Sequence, residues 1–114
     1  MPYIAVNTTG KLSSAQMEKI KAEFGRLIAI IPTKAEAHLM VDFSDGRTFY
    51  RAGENVSGAF IDLRLFKQSE FEPKKKFTEE TFKMLNRELG LKEENVYVTI
   101  MEFENWGSAG TLKS

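Results

Sequence analysis

Cysteine is absent from the 114 residues, which excludes disulfides, thiolate nucleophiles and cysteine-ligated metals. Histidine and tryptophan occur once each, and proline three times. There is no excess of charge of either sign: 16 basic and 16 acidic residues leave a formal net charge of zero. No basic run exceeds Lys74-Lys75-Lys76. Both features argue against a general binder of nucleic acid or of anionic membrane surfaces. No apolar stretch approaches the roughly 18 residues that read as a membrane span. Met1–Ala5 carries neither a basic nor a long apolar segment, so no signal peptide is expected. The default expectation is a cytoplasmic domain, with secretion by a route without a signal peptide left open. There is no glycine-rich phosphate loop, no Gly-x-Ser-x-Gly, and no Asp/Glu/His group at metal-ligand spacing. Neither a metal nor any other cofactor is expected. What the chain does have is 42% hydrophobic residues. A chain of this length buries about two-thirds of its unfolded surface, enough for one core, so residues 1–114 are expected to form a single domain.

The hydrophobic spacing divides the chain into short units. Tyr3–Asn7 is an apolar run of good strand formers, closed by Thr8-Thr9-Gly10. Ser13 followed by Gln16 has capping-box spacing. Met17, Ile20, Phe24, Leu27, Ile28 and Ile31 then recur at three and four residues, which predicts an amphipathic helix of about 18 residues ending at Pro32. His38–Ser44 is a predicted strand, Asp45-Gly46 a two-residue hairpin signal, Arg47–Arg51 its return strand, and Gly53–Gly58 a loop. In Ala59–Phe66 the residues Ala59, Ile61, Leu63 and Leu65 share one face, and Phe60, Asp62, Arg64 and Phe66 the other. Lys67–Lys76 reads as a polar connection. Thr78 reads as a helix cap, with Phe77 stapling onto Phe82. Phe82, Leu85 and Leu89 line a second helix that stops at Gly90. Val96–Glu102 is the last long strand, and Phe103–Ser114 a short tail around Trp106.

The order is β-α-β-β followed by β-α-β-tail, with the second unit offset by about 56 residues. Strand–helix–strand crossovers are right-handed and put the helix on one face. The expected fold class is therefore α+β: a tandem β-α-β repeat making a four-stranded mixed sheet with two helices on one face. The uncovered face carries Phe60, Phe66 and other large apolar groups among charges, which favours an oligomer over a monomeric ferredoxin-like domain.

Three features together resemble the tautomerase superfamily, and within it the macrophage migration inhibitory factor family. Met1-Pro2 runs directly into a strand; the tandem β-α-β order occurs at this length; and Glu94-Asn95-Val96-Tyr97-Val98-Thr99-Ile100 is followed by Trp106-Gly107. The resemblance covers the whole chain. It implies a homotrimer with active sites between subunits, and Pro2 as the catalytic acid/base. The chemistry is sound on its own terms. Pro follows Met1 as a small second residue, so Met1 is removable and Pro2 then carries a free secondary amine in a rigid ring. An α-amine titrates near pH 7.7–8.0, and burial or a nearby cation lowers that value. A neutral amine near pH 7 can take a proton from carbon beside a carbonyl and return it elsewhere. The alternative role for Pro2 is only to block strand pairing at a sheet edge, and a retained Met1 would turn the amine into an amide and remove the base.

The same resemblance assigns substrate-binding roles. Lys34 would hold a substrate carboxylate and depress the amine's pKa, although Thr33 also aligns at that position. Phe66 aligns where a backbone amide and an aliphatic side chain line the pocket, and is bulkier than the usual residue. Arg64, on the same strand face, suits bidentate carboxylate binding or a salt bridge with Asp62. Tyr97 matches a tyrosine that a neighbouring subunit lends to the pocket. Thr99 stands where the family commonly has asparagine. Trp106 and Phe103 are candidates for an aromatic wall or for trimer packing. The Cys-x-x-Cys element of the family's mammalian cytokine is missing, Gly58-Ala59-Phe60-Ile61 standing in its place, and His38 reads as a surface or capping residue.

The expected function is a cofactor-free keto–enol tautomerase acting on a small-molecule α-keto acid such as phenylpyruvate. A cytokine-like binding or signalling protein with an incidental tautomerase pocket is the alternative from another class. A relative that hydrates or dehalogenates unsaturated acids is a third reading. Such relatives resemble this chain in the Trp-Gly tail but typically bring paired arginines to the site, so the discriminating observation is whether Arg47, Arg51 or Arg64 lies near Pro2 in a trimer.

Overall fold

A computed structural model describes residues 1–114. Strand β1 (Tyr3–Thr9) is followed by helix α1 (Ser14–Leu27), which tightens into a 3-10 turn at Ile28–Ile30. A second 3-10 turn (Glu36–His38) leads to β2 (Met40–Arg47). Two short strands follow, β3 (Phe49–Arg51) and β4 (Glu54–Val56). Next come β5 (Ala59–Phe66) and α2 (Phe71–Leu89). After a 3-10 turn at Glu93–Asn95 the chain forms β6 (Val96–Phe103), β7 (Trp106–Ser108) and β8 (Thr111–Lys113). The four long strands lie in the order β2-β1-β5-β6. β1 runs parallel to β2 and antiparallel to β5, and β5 runs parallel to β6.

The repeat extends to register. Tyr3 pairs with Met40 and Ala59 with Val96, so each crossover advances the chain by the same 37 positions. Each half also ends in a small hairpin: β3 pairs with β4, and β7 with β8. The tail that follows β6 is thus the second copy of the β3–β4 hairpin.

Alternation along the strands decides which face is dry. Ile4 and Val6 of β1 and Ala59, Ile61, Leu63 and Leu65 of β5 are buried, as are Ile20, Phe24, Leu27 and Ile28 of the first helical segment. From α2 come Phe77, Met84 and Leu85. Sixteen buried apolar residues form this one cluster, and Phe24 stacks on Phe77 at a centroid distance of 6.2 Å. The opposite face has no helix. On it Met40 is 66% exposed, Tyr97 58% and Met101 50%. No helix is long and apolar enough to cross a membrane.

The capping box forms as expected. The Ser13 hydroxyl accepts from the Gln16 amide at 3.1 Å, and the Ser13 amide donates to Gln16 Oε1 at 2.8 Å. Several other expectations are corrected. Asp45-Gly46 is not a hairpin turn, because β2 continues through it to Arg47. Asp45 Oδ2 accepts from the Leu12 amide at 2.8 Å, and the Gly46 amide donates to the Gly10 carbonyl at 2.9 Å. These long-range bonds make the dipeptide an irregularity in the ladder, where the β1–β2 register shifts between Asn7 and Thr9. The turn lies instead at Ala52-Gly53, with φ of 54° and 78°, the pair of positive values that a tight two-residue hairpin needs. It converts part of the expected 53–58 loop into β4.

The second helix begins at Phe71, inside the expected polar connection. Pro73 falls in its first turn, where a missing N–H costs nothing. Thr78 is therefore interior rather than a cap, and its hydroxyl donates to the Lys74 carbonyl at 2.9 Å. Phe77 is fully buried in the core rather than acting as a staple at the helix start. His38 lies in the 3-10 turn ahead of β2 rather than in the strand.

Candidate active site

The end of the sheet where β1 begins meets the C-terminal hairpin in an open cleft of about 800 Å³. Met1, Pro2, Tyr3, Arg64, Phe103, Trp106, Ser108 and Lys113 are among its lining residues, and none of the lining residues is acidic. β1 holds Pro2 there by pairing on both sides, and the Pro2 carbonyl accepts from the Met40 amide at 3.1 Å. Pro2 itself is buried. Phe103 and Trp106 meet edge to face at 6.1 Å and form an aromatic wall.

The pKa of the α-amine, here that of Met1, is lowered from its ordinary value. Burial contributes most, followed by the charges of Lys34 and then Lys113. Lys34 reaches the amine through its field while its ammonium donates to the Phe66 carbonyl at 2.7 Å. Burial also lowers the pKa of Lys34, against the opposing pull of Glu102. Thr33, the other residue that aligns at this position, is in the left-handed region at φ 71°. Phe66 thus contributes its carbonyl, while its ring lies under the Lys67 ammonium at 5.3 Å.

Arg64 faces the cleft from β5. Its guanidinium lies 5.6 Å from the centre of the Tyr3 ring and pairs with Asp62 at 3.2 Å. The Thr99 hydroxyl donates to the other Asp62 oxygen at 3.3 Å, so Thr99 belongs to this network on the bare face and not to the cleft lining. The Tyr3 hydroxyl donates to Asp42 at 2.7 Å, and that bond, with burial second, raises the Tyr3 pKa.

Tyr97 is not in this cleft. It lies level with Phe60 and Asn7, about 13 Å farther along the strand direction than Tyr3, at the usual rise per residue. There it lines a second cleft of about 540 Å³ with Phe49, Tyr50, Phe60, Arg47 and Arg51. Within one chain the predicted site is therefore split. Pro2, Arg64 and Trp106 line one cleft, Lys34 and Phe66 adjoin it, and Tyr97 opens on the other. Within one chain Arg47 and Arg51 line the Tyr97 cleft and Arg64 the Pro2 cleft. The cleft residues that the sequence did not disclose include Ser108, Lys113, Asn105, Met40 and His38. The one signal for the hairpin that carries Ser108 and Lys113 was Ala109-Gly110, which forms its turn at φ 51° and 84°.

No protein-family model matches the chain, and no curated protein sequence matches it. Solved structures do. The MIF2 protein of Leishmania major superposes with a TM-score of 0.92 at 20% identity, covering 99% of this chain and 97% of that one. The macrophage migration inhibitory factor-like protein of Entamoeba histolytica gives 0.87 at 17% identity, covering 98% of each chain. Pt0534, solved after inactivation by 2-oxo-3-pentynoate, gives 0.84 at 18% identity and covers 95% of this chain and 93% of that one. The fold is that of the macrophage migration inhibitory factor proteins.

Proposed function

We propose that the chain is a tautomerase of the macrophage migration inhibitory factor family that interconverts the keto and enol forms of aryl 2-oxo acids such as phenylpyruvate. Pro2 is its acid/base once Met1 is removed. The observation that carries the reading is the position of the α-amine: at the end of β1, in a cleft without acids, with its ammonium form disfavoured by burial and by two lysines. Pro2, one residue in, takes over that environment when it becomes the terminus. A base that is neutral near pH 7 is what proton abstraction beside a carbonyl requires.

In the keto-to-enol direction the Pro2 nitrogen takes a proton from C3. The C–H electron pair becomes the C2=C3 double bond, and the carbonyl oxygen takes a proton from solvent. The reverse reaction returns the proton from Pro2 to C3. Lys34 and Arg64 hold the carboxylate, and Phe66, Trp106 and Phe103 face the aryl group. The working form is a homotrimer. The bare sheet face, with Met40, Tyr97 and Met101 exposed, supports it, and a neighbouring subunit would bring its Tyr97, with Thr99 beside it, to the Pro2 cleft. The fold resemblance to Pt0534, which is inactivated by an acetylenic 2-oxo acid, accords with a 2-oxo acid substrate.

The test is phenylpyruvate enol–keto conversion followed by ultraviolet absorbance, on protein shown by mass to lack Met1. Pro2→Gly and a Met1-retained form should each lose roughly 10²–10⁴-fold, the contribution of one positioned base. Equal rates in all three would refute the assignment.

A further inference from the structure

The C-terminal hairpin places two donors against one weak acceptor. The Ser108 hydroxyl donates to Met1 Sδ at 2.9 Å, and the Lys113 ammonium lies 4.0 Å from the same sulfur. A thioether is a poor partner for an ammonium, whereas a carboxylate oxygen is a strong one. The other cations near Pro2, which hold the reacting carboxylate in the reading above, each also have a partner within the chain. Arg64 is paired with Asp62, and Lys34 donates to the Phe66 carbonyl while feeling Glu102. Lys113 makes no ion pair with any carboxylate, although it is half-buried and lines a cleft without acids. Removing Met1 takes the sulfur away and leaves Ser108 and Lys113 aimed at the place it occupied.

We propose that Ser108 and Lys113 form a carboxylate subsite of the Pro2 cleft, separate from Lys34, so that the preferred substrates are 2-oxo acids bearing a second carboxylate. The subsite is unmasked when Met1 is cleaved. One carboxylate belongs to the reacting 2-oxo acid and the other lies at the far end of the molecule, across the Phe103–Trp106 wall.

The inference rests on the cleft being the substrate site, and it is tested by binding rather than turnover. The probes are 3-phenylpropanoate and 3-(4-carboxyphenyl)propanoate, which share an aryl propanoate frame and have no carbonyl to enolise. Calorimetric titration of aminopeptidase-processed protein should show the diacid binding about tenfold more tightly, the scale of one charge-assisted hydrogen bond. Lys113→Met should erase the difference while leaving the monoacid's Kd unchanged. Lys113→Arg should keep it, and Ser108→Ala should reduce it. Met1-retained protein should show none, because the thioether fills the subsite. Equal affinities in the processed protein, a preference that survives in Lys113→Met, or no measurable binding of either acid would each overturn the proposal. A diacid preference in a protein that fails to convert phenylpyruvate would leave the subsite standing and sink only the tautomerase reading.

Discussion

Gly58→Ala concentrates its effect at one contact. Gly58 precedes β5 and is stitched to β1: its amide donates to Thr9 Oγ1 at 2.9 Å, and its carbonyl accepts from the Thr9 amide at 3.1 Å. A Cβ built there overlaps the carbonyl oxygen of Asn95 and lies 3.2 Å from that residue's carbonyl carbon. The obstacle is backbone, and it is fixed, because the Asn95 amide donates to the Lys92 carbonyl at 3.0 Å. Relief therefore requires the start of β6 to move away from β5, or the bonds to Thr9 to lengthen. Overpacking of this kind costs about 1–3 kcal/mol, and at about 4 °C per kcal/mol the melting temperature should fall by about 4–12 °C. Gly107→Ala is the matched control, since its Cβ would meet nothing nearer than 3.9 Å. Any loss of unfolded-state entropy is then common to both variants. Urea unfolding with an unchanged slope gives the difference. If Gly58→Ala lies within about 0.5 kcal/mol of Gly107→Ala, the contact does not constrain the chain and the argument fails. Because Tyr97 is two residues beyond Asn95, the same variant should also shift the Tyr97 ring resonances.

Three further outcomes are expected. Lys34→Met removes a cation that disfavours the ammonium form, so the N-terminal amine should titrate at higher pH, and the acid limb of the kcat/KM profile should move with it; a stationary limb would show that Lys34 does not act on the base. Phe77→Ala, which empties a fully buried site stacked on Phe24, should cost about 3–5 kcal/mol in denaturant unfolding, and a loss under 1 kcal/mol would mean that the core collapses around the gap. Burial opposes ionisation of Glu102, but the Ser69 amide, Lys74 and Lys34 outweigh it and hold its pKa below the usual value. Its stabilisation is therefore present above the unfolded pKa of about 4.3 and is lost as pH falls through the lower folded value. Wild type should exceed Glu102→Gln by about 1–2 kcal/mol at pH 7, with the gap closing in acid, and a pH-independent gap would contradict this.

Where period and burial coincide, the sequence was readable. The alternation in Ala59–Phe66 and the three-four spacing from Met17 to Ile31 each describe a surface with one dry side, and those faces are the ones buried. The errors arise where a distant partner overrides a local preference. Asp45-Gly46 has the chemistry of a turn, but the Leu12 amide and the Gly10 carbonyl hold it in a ladder. The start of α2 lies among lysines that look solvated until Glu102, from another strand, accepts from Lys74 and from the Ser69 amide. At the site, Pro2 and Trp106 were accessible because each sits beside a recognisable strand end. Lys113 was not, because its significance depends on a hairpin folding back some 110 residues onto the first residue of the chain.

The repeat has a consequence for the two clefts. Tyr3 faces Arg64, the counterpart of Thr8, and Thr8 faces Ala59, the counterpart of Tyr3. The β1–β5 seam is thus self-complementary, a local two-fold axis inside a single polypeptide. The cleft holding Tyr97 is bounded by the first hairpin and the start of β5, just as the Pro2 cleft is bounded by the second hairpin and the start of β1. They are one surface written twice. The nitrogen of Gly58, the counterpart of Pro2, is a peptide amide committed to Thr9, so that copy has no base to offer. Joined in one chain, the halves are free to specialise, with the chain's terminus at one pole and an aromatic shelf at the other.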